Sequence, residues 1–355
     1  MTAYPAESEH PAVSVIVPAR NEEACLGACL QSLVTQADVK FEIIVVDDGS
    51  TDRTREIASS FAQVRVASAG ALSEGWSGKN NAMAAGARQA RGEWLLFTDA
   101  DTVHLPGSLA GSVREAGERG AALLSYSPQQ EVHGFLEKVV MPVIFGELAL
   151  AYRPSKVSDP ASPVAAANGQ YLLISRAAYD AVGGHAAVAS SLLEDVALAR
   201  MVKASGRRIF FRYGGDVVRT RMYRSFSQLC EGWSKNLALL FRSPARLAAL
   251  RSCEFLLILG SAAAGIFEIT QGWPEAAVLF FALTAVTYWI FLIRIRKAHF
   301  AWDASALALM GLPLFSYLLL RSKSSYRKGA VSWKGRTYGS PLRNVEGTSG
   351  RTKAA

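Results

Sequence analysis

The most constraining feature of this chain is a regular alternation of short apolar runs and helical stretches across residues 13–126. The apolar runs are Val13–Val17, Phe41–Val46, Val64–Ala67, Trp94–Phe97 and Ala121–Ser125, and stretches with helical spacing, such as Glu22–Gln36 and Lys79–Ala90, separate them. Short apolar runs of this kind are typical of strands that are buried on both faces. We therefore predict an α/β fold with a mostly parallel, doubly wound sheet, in which ligands bind at the carboxyl ends of the strands.

Acidic side chains directly follow two of these strands. Asp47 and Asp48 come after the second strand, and Asp99 and Asp101 come after Trp94–Phe97. Asp48 or Asp47 could accept hydrogen bonds from a base or a ribose hydroxyl, although Asp-Gly-Ser is also a good turn sequence. Asp99 and Asp101 could share Mg²⁺ or Mn²⁺, because these ions prefer oxygen ligands and often bind one or two carboxylates plus substrate phosphates. Two solvated loop acids are the alternative.

Two predicted helices begin with charged residues that could act on a phosphorylated substrate. Gly75–Asn80 opens one helix, where backbone amides favour anions and Lys79 adds positive charge. Glu194 and Asp195 open another, and a carboxylate there could take the proton from an acceptor hydroxyl as a general base. The simpler explanations are a solvated lysine in a flexible loop and two acids that complement a helix dipole.

A further candidate segment precedes the apolar part of the chain. Gln228–Trp233 follows Arg221 and Arg224, and this combination offers an indole for stacking and positive charges for a diphosphate. An amphipathic helix beside a membrane explains the same segment equally well.

The order of these motifs resembles that of the family 2 glycosyltransferases, nucleotide-diphospho-sugar transferases with the GT-A fold and a Rossmann-like, mostly parallel sheet. The matching motifs are Val15–Glu22, Val45–Asp52, Phe97–Asp101 and Glu194–Asp195, and the resemblance covers about residues 13–240. Four shorter segments resemble one branch of the family: Gly78–Asn80, Asn168–Gln170, Gly232–Trp233 and Val331–Tyr338. That branch holds ceramide-glucosyltransferase-like, hopanoid-associated and carotenoid-acid glycosyltransferases, which act on lipids.

The resemblance implies a role for each matching residue. Asp195 would be the catalytic base, and Asp101 would hold the metal with Asp99 nearby. The other residues would bind substrate: Pro18, Arg20, Glu22, Asp47, Asp48, Lys79, Gly169, Gln170, Glu194, Arg221, Arg224, Gln228, Trp233, Trp333 and Arg336. The branch often carries Gln-x-x-Arg-Trp before its membrane helices, whereas this chain has one extra residue and no arginine there. Arg221, Arg224 or Lys235 could replace that arginine at the diphosphate.

Three apolar stretches follow, at Phe255–Thr270, Ala276–Ile293 and Ala304–Leu320, each at the short end of what spans a hydrocarbon core. Basic residues precede the first stretch and follow the second, which predicts that the catalytic part is cytoplasmic. The third stretch contains Gly311 and Pro313, and proline interrupts helices. We expect this stretch to bend and re-enter, or to lie in the interface, so that the basic tail returns to the cytoplasmic side.

These patterns predict four regions in a multi-pass protein of the inner membrane. They are a flexible N-terminal tail at residues 1–12, a cytoplasmic GT-A domain at 13–240, a membrane region at 241–320 and a basic cytoplasmic tail at 321–355. The formal net charge of +8 suits a membrane surface or phosphorylated substrates. Nucleic acid is not an expected partner, because zinc-finger spacing and aromatic RNA-binding motifs are absent from the sequence.

The resemblance therefore implies inverting, metal-dependent transfer of a sugar from a UDP- or GDP-linked donor. The acceptor would be a hydroxyl or carboxyl group of a lipid or another membrane-associated molecule. The nearest alternative is a polyprenyl-phosphate sugar synthase, whose phosphate acceptor is already ionised and needs no strong base. A non-catalytic membrane scaffold is a remote alternative, because the acids at the strand ends are all present.

Overall fold

The computed structural model describes residues 10–338, so most of the predicted N-terminal tail and the end of the predicted C-terminal tail lie outside the described residues. The strands are β1 (Val13–Ala19), β2 (Phe41–Asp47), β3 (Val64–Ser68), β4 (Trp94–Phe97), β5 (Thr102–His104), β6 (Leu123–Ser127), β7 (Gln129–Gln130), β8 (Leu172–Ser175), β9 (Ile209–Tyr213), β10 (Val218–Thr220), β11 (Val331–Trp333) and β12 (Arg336–Tyr338). The helices are α1 (Leu26–Val34), α2 (Thr54–Ser59), α3 (Gly78–Gln89), α4 (Ser108–Arg119), α5 (Phe135–Ala151), α6 (Pro154–Val157), α7 (Arg176–Ala181), α8 (Glu194–Ala204), α9 (Phe226–Leu240), α10 (Pro244–Thr270), α11 (Pro274–Ile295), α12 (Trp302–Leu307) and α13 (Leu312–Arg327).

A seven-stranded sheet with the order β3-β2-β1-β4-β8-β6-β9 forms the centre of the first 240 residues. β8 is antiparallel to both of its neighbours, and every other pair in this sheet is parallel. Successive side chains of β1 pack into different cores, since Ile16 joins one buried cluster and Val15 and Val17 join the other. The predicted fold class is confirmed: the chain has a mostly parallel α/β sheet of the GT-A type, followed by apolar helices.

The direction in which the sheet grows explains where a site can form. From β1, the chain adds β2 and β3 on one side and β4 on the other. Where the strand order reverses in this way, the loops at the carboxyl ends separate and leave a crevice for ligands. Pro18, Asp48 and Asp99 all lie at this edge of the sheet.

Within residues 10–338, three segments are long and apolar enough to cross a membrane: Pro244–Thr270, Pro274–Ala298 and Trp302–Arg327. Only 17% and 11% of the most apolar parts of the first two segments are buried within the protein, compared with 50% for the third. The third segment is also interrupted by a 3₁₀ turn, Ala308–Gly311, directly before α13. A side chain on Gly311 would overlap the Val139 carbonyl, so this turn packs closely against the backbone of α5.

Helix α5 connects the part of the chain that forms the central sheet, called here the catalytic part (residues 13–240), to the apolar helices. Its buried Glu147 forms ion pairs through Oε1, with Arg251 Nε at 2.9 Å and with Arg294 Nε at 3.1 Å. Glu254 pairs with the same two arginines, which gives a balanced cluster of two acids and two guanidinium groups. Because the apolar clusters of α5, α9 and the last four helices are also continuous, the two parts share one core.

The end of α13 returns to the part of the chain that forms the central sheet, where it contacts α9. Ser322 Oγ donates to the Ser234 carbonyl at 2.6 Å, and Tyr326 OH donates to the Lys235 carbonyl at 2.7 Å. The antiparallel hairpin of β11 and β12 follows, and β11 packs against α9. The described end of the tail is therefore in contact with the catalytic part, while the predicted domain limits and membrane orientation stay predictions.

Candidate active site

One cavity of about 1200 Å³ lies at the carboxyl ends of β1, β2 and β4. Most of the residues predicted from the sequence line it: Pro18, Arg20, Glu22, Asp48, Lys79, Asp99, Asp101, Gly169, Gln170, Glu194, Asp195, Arg221, Arg224, Gln228, Trp233, Trp333 and Arg336. This volume is above the usual range of about 300–1,000 Å³ for small-molecule pockets. The cavity can therefore accommodate a nucleotide sugar together with part of a second substrate.

Asp47 is not among the residues that line the cavity, so its expected role in substrate binding stays a prediction. Its Oδ1 accepts a hydrogen bond from the backbone N–H of Ser50 at 3.1 Å, and Oδ2 lies 3.7 Å from Arg55. Asp47 is the last residue of β2 and Asp48 is the first residue after it, and only Asp48 of the two lines the crevice. Asp48 is the residue that lines it, and Asp47 has the turn role that the sequence left open.

Lys79 bridges the acids at the centre of the cavity. Its Nζ lies 2.8 Å from Asp99 Oδ1 and 2.8 Å from Glu194 Oε1. Ser77 caps the start of α3 and so fixes Lys79 in the first turn. Burial opposes the charged form, but Asp99, Glu194 and Asp195 raise the pKa of Lys79 well above its ordinary value. Lys79 therefore stays charged and joins the end of β4 to the start of α8.

Two backbone N–H groups hold the carboxylate of Asp195. Gly169 donates to Oδ2 at 2.8 Å, and Val196 donates to Oδ1 at 2.7 Å. Burial and the charge of Glu194 raise the pKa of Asp195 to about 6, although Lys79 acts in the other direction. This carboxylate is still ionised at neutral pH and is more basic than a solvated aspartate, which is the condition that a general base must meet.

Asp101 has an unsatisfied oxygen beside a second acid. Its Oδ1 is buried and has no hydrogen-bond partner in residues 10–338. Burial, Asp99 and Glu22 together raise the pKa of Asp101 to about 7, so the site favours a positive charge. In the same residues, no three His, Cys, Asp or Glu side chains are arranged to hold a metal. Two carboxylates nevertheless fit Mg²⁺ or Mn²⁺, because substrate phosphates and water complete their coordination.

Helix α9 presents a polar stripe to the cavity. Gln228, Glu231 and Lys235 line the wall, at the spacing that places residues on one face of a helix. Glu231 stands three residues after Gln228, where the related branch often has arginine. Burial lowers the pKa of Lys235, while Glu194 opposes that shift. Lys235, one turn after Glu231, is the basic residue that α9 contributes to the wall. Arg221 and Arg224, in the segment before α9, contribute two more.

Trp233 packs mainly inside the protein. Its side chain is only 2% exposed, and its ring meets Phe145 and Tyr223 edge-on. Its Nε1 lies 3.4 Å from the sulfur of Met141. Since α9 and α5 bury this ring between them, little of its face remains for the stacking role expected from the sequence.

The C-terminal hairpin covers one end of the cavity. Arg336 makes a forked contact with Asp48, with Nη1 2.5 Å from Oδ2 and Nη2 3.1 Å from Oδ1. Lys334 forms an ion pair with Glu22. Sequence reasoning missed Lys334, although it lies between Trp333 and Arg336 in the same motif, which was the available signal.

The other end of the cavity lies beside α5 and the turn that follows α11. Its wall has apolar side chains (Phe145, Leu148 and Leu240) and cationic side chains (Arg153, Arg296 and Lys297). His299 stacks on Tyr213 at a ring-centroid distance of 4.0 Å and joins this turn to β9. Sequence reasoning also missed this wall, because residues of four separate elements form it.

Comparison with known proteins shows the family to which this chain is similar. Residues 14–172 match the family model described as glycosyl transferase family 2. The chain is 30% identical over 346 residues to the 4,4'-diaponeurosporenoate glycosyltransferase of Staphylococcus aureus strain MRSA252, and the match covers 93% of this chain and 88% of that protein. The protein of the same name from strain USA300 is 29% identical over 345 residues, with the same coverage.

Solved structures give a more distant likeness. The mannosyltransferase PcManGT from Pyrobaculum calidifontis, in complex with GDP-Man and Mn²⁺, is 17% identical with a TM-score of 0.49. That match covers 90% of this chain and 87% of PcManGT. S. aureus TarS 1-349, in complex with UDP-GlcNAc, is 16% identical with a TM-score of 0.44, and the match covers 92% of this chain and 99% of that one.

Proposed function

We propose that this chain, which belongs to glycosyl transferase family 2 and is therefore a glycosyltransferase, transfers a sugar from a nucleotide-diphosphate sugar to a lipid acceptor. The observation that carries this proposal is the convergence of Asp48, Asp99, Asp101 and Asp195 on one cavity. Acids from two strand ends and one helix start meet there beside Lys79, at the crevice where α/β sheets bind nucleotides.

In the mechanism we propose, Asp195 takes the proton from an acceptor hydroxyl as that oxygen attacks the anomeric carbon, whereas an acceptor carboxyl group would attack as the carboxylate that it already is at neutral pH. The bond from that carbon to the nucleoside diphosphate breaks on the opposite face, so a single displacement inverts the anomeric configuration. The N–H groups of Gly169 and Val196 hold Asp195 in place for this proton transfer. Asp48 and Arg20 bind the nucleoside end of the donor, where Arg20 already donates to the Asp48 carbonyl at 2.6 Å.

Asp101 and Asp99 would hold Mg²⁺ or Mn²⁺, which when bound supplies positive charge to the departing diphosphate. Lys79 orients Asp99 by pairing with one of its oxygens. The buried, unpartnered Oδ1 of Asp101 supports the metal reading, because an unpaired buried carboxylate oxygen is costly.

A lipid acceptor is supported by the apolar wall of the cavity and by the apolar helices beside it. The similarity to enzymes named for the carotenoid acid diaponeurosporenoate supports the same acceptor class, with a carboxyl or hydroxyl group as the attacking group. We place the enzyme in the inner membrane with α10 and α11 as spans, and its catalytic part in the cytoplasm, where the adjoining basic residues favour that side.

A polyprenyl-phosphate sugar synthase is the second candidate. The cations Arg153, Arg296 and Lys297 at the membrane end of the cavity suit an acceptor that is already ionised. A phosphate acceptor would not need Asp195 as a base, so its rate would not depend on the ionisation of Asp195.

The proposal is tested by incubating the purified full chain with a panel of UDP- and GDP-sugars, membrane lipid extract, and Mg²⁺ or Mn²⁺. Mass spectrometry should find one lipid product heavier by a single sugar residue, with release of the nucleoside diphosphate. Asp180→Asn is the matched control for the variant Asp195→Asn in the same assay, because Asp180 is exposed near the end of α7 and lies outside the cavity wall. Neither transfer nor donor hydrolysis with any donor would contradict the proposed function.

A further inference from the structure

A cluster of buried polar side chains lies behind the loop that carries Asp99 and Asp101. Buried polar groups are costly unless they are hydrogen-bonded, so such a cluster needs a reason in the fold or in the function. We infer that this polar cluster positions the metal ligands, because its hydrogen bonds hold the backbone carbonyls of Asp99 and Asp101. The inference rests on the proposed function, since it assumes that these two acids hold the metal. The members of the cluster, each at most 9% exposed, are Thr98, Thr102, His104, Gln130, Gln170 and Thr220.

The loop needs this support because it lies outside the strands. β4 ends at Phe97 and β5 begins at Thr102, so the backbone of both acids lies between the two strands. Thr102 Oγ1 donates to the Asp99 carbonyl at 2.7 Å, whereas the Thr102 backbone N–H reaches the same oxygen only at 3.3 Å. Thr220 Oγ1, from β10, donates to the Asp101 carbonyl at 3.2 Å. The two hydroxyls therefore fix the backbone of each acid and limit the separation of the two carboxylates.

His104 sets the direction in which the threonine hydroxyls donate. Thr98 Oγ1 donates to the Gln170 carbonyl at 2.8 Å, just as Thr102 Oγ1 donates to Asp99. His104 Nε2 lies 3.1 Å from the Thr98 hydroxyl oxygen and 3.3 Å from that of Thr102. Because each hydroxyl has a single proton and gives it to a carbonyl, we assign the His104 proton to Nε2, which donates to both oxygens. One N–H group therefore keeps both hydroxyl protons directed at their carbonyls.

The polar cluster orders the loop without placing a charge behind it. Burial lowers the pKa of His104 to about 3, so its ring is neutral at physiological pH. The other members carry hydroxyl or amide groups, which are neutral as well. A cation in their place would compete with a metal for the acids, as Lys79 does for one oxygen of Asp99. The cluster therefore leaves Asp101 available to a divalent ion, in agreement with its buried Oδ1, which has no hydrogen-bond partner in residues 10–338.

A second chain of hydrogen bonds within the cluster reaches Thr220. Gln170 Nε2 donates to the Thr220 hydroxyl oxygen at 3.2 Å, and Gln130 Nε2 lies 3.4 Å from Gln170 Oε1. Gln170 comes directly after Gly169, whose N–H holds the carboxylate of Asp195. The cluster therefore connects the loop of the proposed metal ligands to the backbone that orients the proposed base.

The test measures equilibrium binding of Mn²⁺ by the full-length protein in detergent, with an excess of UDP and separately with an excess of GDP. Thr102→Val keeps the shape of the side chain and removes its hydroxyl, so Mn²⁺ binding should weaken about tenfold or more, as is usual when a metal ligand loses its support. Thr102→Ser keeps the hydroxyl and should restore most of the binding. Ser112→Ala is the matched control, because it also removes a buried hydroxyl but lies outside the cluster and the cavity wall.

Two further variants test the other parts of the cluster. Thr220→Val removes the donor to the Asp101 carbonyl, and His104→Phe removes the N–H that orients both threonines, so each should also weaken Mn²⁺ binding. Binding of the nucleoside alone, uridine or guanosine, should be unchanged in every variant, because Asp48 lies outside the cluster. A merely structural role would weaken both kinds of binding together.

Two results would overturn the inference. If Thr102→Val and Thr220→Val bind Mn²⁺ as tightly as the wild type, or lose Mn²⁺ and nucleoside binding equally, the cluster does not position the metal ligands and the inference fails alone. If the wild-type protein neither transfers a sugar nor binds Mn²⁺ with either nucleotide, the proposed function fails and the inference fails with it.

Discussion

The backbone N–H of Gly169 donates a hydrogen bond of 2.8 Å to Oδ2 of Asp195. Gly169 lies just before β8, the antiparallel strand at the centre of the sheet, while Asp195 begins α8. The central sheet therefore fixes the oxygen that we assign as the general base. A β-carbon at position 169 would lie 3.1 Å from Lys79 Nζ, which is tighter than usual, and 3.4 Å from Glu194 Oε1, so the glycine leaves room for the Lys79 bridge.

Gly169→Ala should lower kcat without abolishing donor binding. The added methyl group would move Lys79, which bridges Asp99 and Glu194, by a few tenths of an ångström, and small displacements at the reacting centre cost about tenfold or more in rate. Steady-state kinetics with titration of the nucleoside diphosphate checks both quantities. Gly117→Ala is the matched control, since that glycine in α4 has open space around it. Wild-type kcat in Gly169→Ala would contradict the close packing described for Asp195.

The rate should rise with pH and reach a plateau. Asp195 accepts a proton only when it is ionised, and its pKa is raised to about 6, so activity is lost as pH falls through 6. Glu194→Gln removes a charge that raises this pKa and should shift the acid limb of kcat/KM to lower pH. The pKa of Asp101 responds mainly to burial, Asp99 and Glu22, so this shift identifies Asp195. A profile that is flat from about pH 5 to 8 would instead favour an acceptor that is already ionised, either a phosphate or a carboxylate.

Removal of divalent metal should abolish transfer, and Mg²⁺ or Mn²⁺ should restore it. Asp101→Asn should lower activity at least a hundredfold, because an amide replaces the carboxylate that we assign as the main ligand. A second readout is the thermal stabilisation by Mn²⁺ plus nucleoside diphosphate, which the wild type should show and Asp101→Asn should lose. Transfer that resists EDTA would contradict the metal assignment, whatever the behaviour of the variant.

The sequence predicted that these acids would lie close together, because that inference depends on local patterns. Asp48, Asp99 and Asp101 follow strands whose order could be read from apolar runs, and parallel strands bring their carboxyl ends together. It could not decide between Asp47 and Asp48, since that choice depends on which face of β2 meets the crevice. In the structure, Asp48 lines the crevice, whereas Asp47 is buried and accepts a hydrogen bond from the Ser50 N–H in a turn.

Other parts of the site depend on contacts that no local pattern encodes. Arg336 and Asp48 are 288 positions apart in the chain, and only the return of α13 to the catalytic part brings them together. Trp233 was expected to be available for stacking, whereas the packing of α9 on α5 buries its ring. The ion pairs of the buried Glu147 with Arg251 and Arg294 likewise join residues that are far apart in the chain.

The third apolar segment should not cross the membrane completely. α9, which precedes α10, and the hairpin, which follows α13, both line the cavity and therefore lie on the same side of the membrane. If α10 and α11 each cross the membrane once, a third full crossing would put the hairpin on the opposite side. Cysteines introduced at Lys328 and at Asp180 should react with an impermeant thiol reagent from the same side. A cysteine at Gly272, between α10 and α11, should react from the opposite side. Reaction of positions 328 and 272 from one common side would contradict this topology.

The most direct test of the account is a comparison of Asp195→Asn with the wild type, in which sugar transfer and binding of the nucleoside diphosphate are measured on the same preparation. The account predicts that the variant binds the nucleotide with wild-type affinity, because Asp195 lies at the acceptor side of the reaction, and that transfer falls by at least about a thousandfold. Transfer by Asp195→Asn at a rate close to that of the wild type would contradict the account.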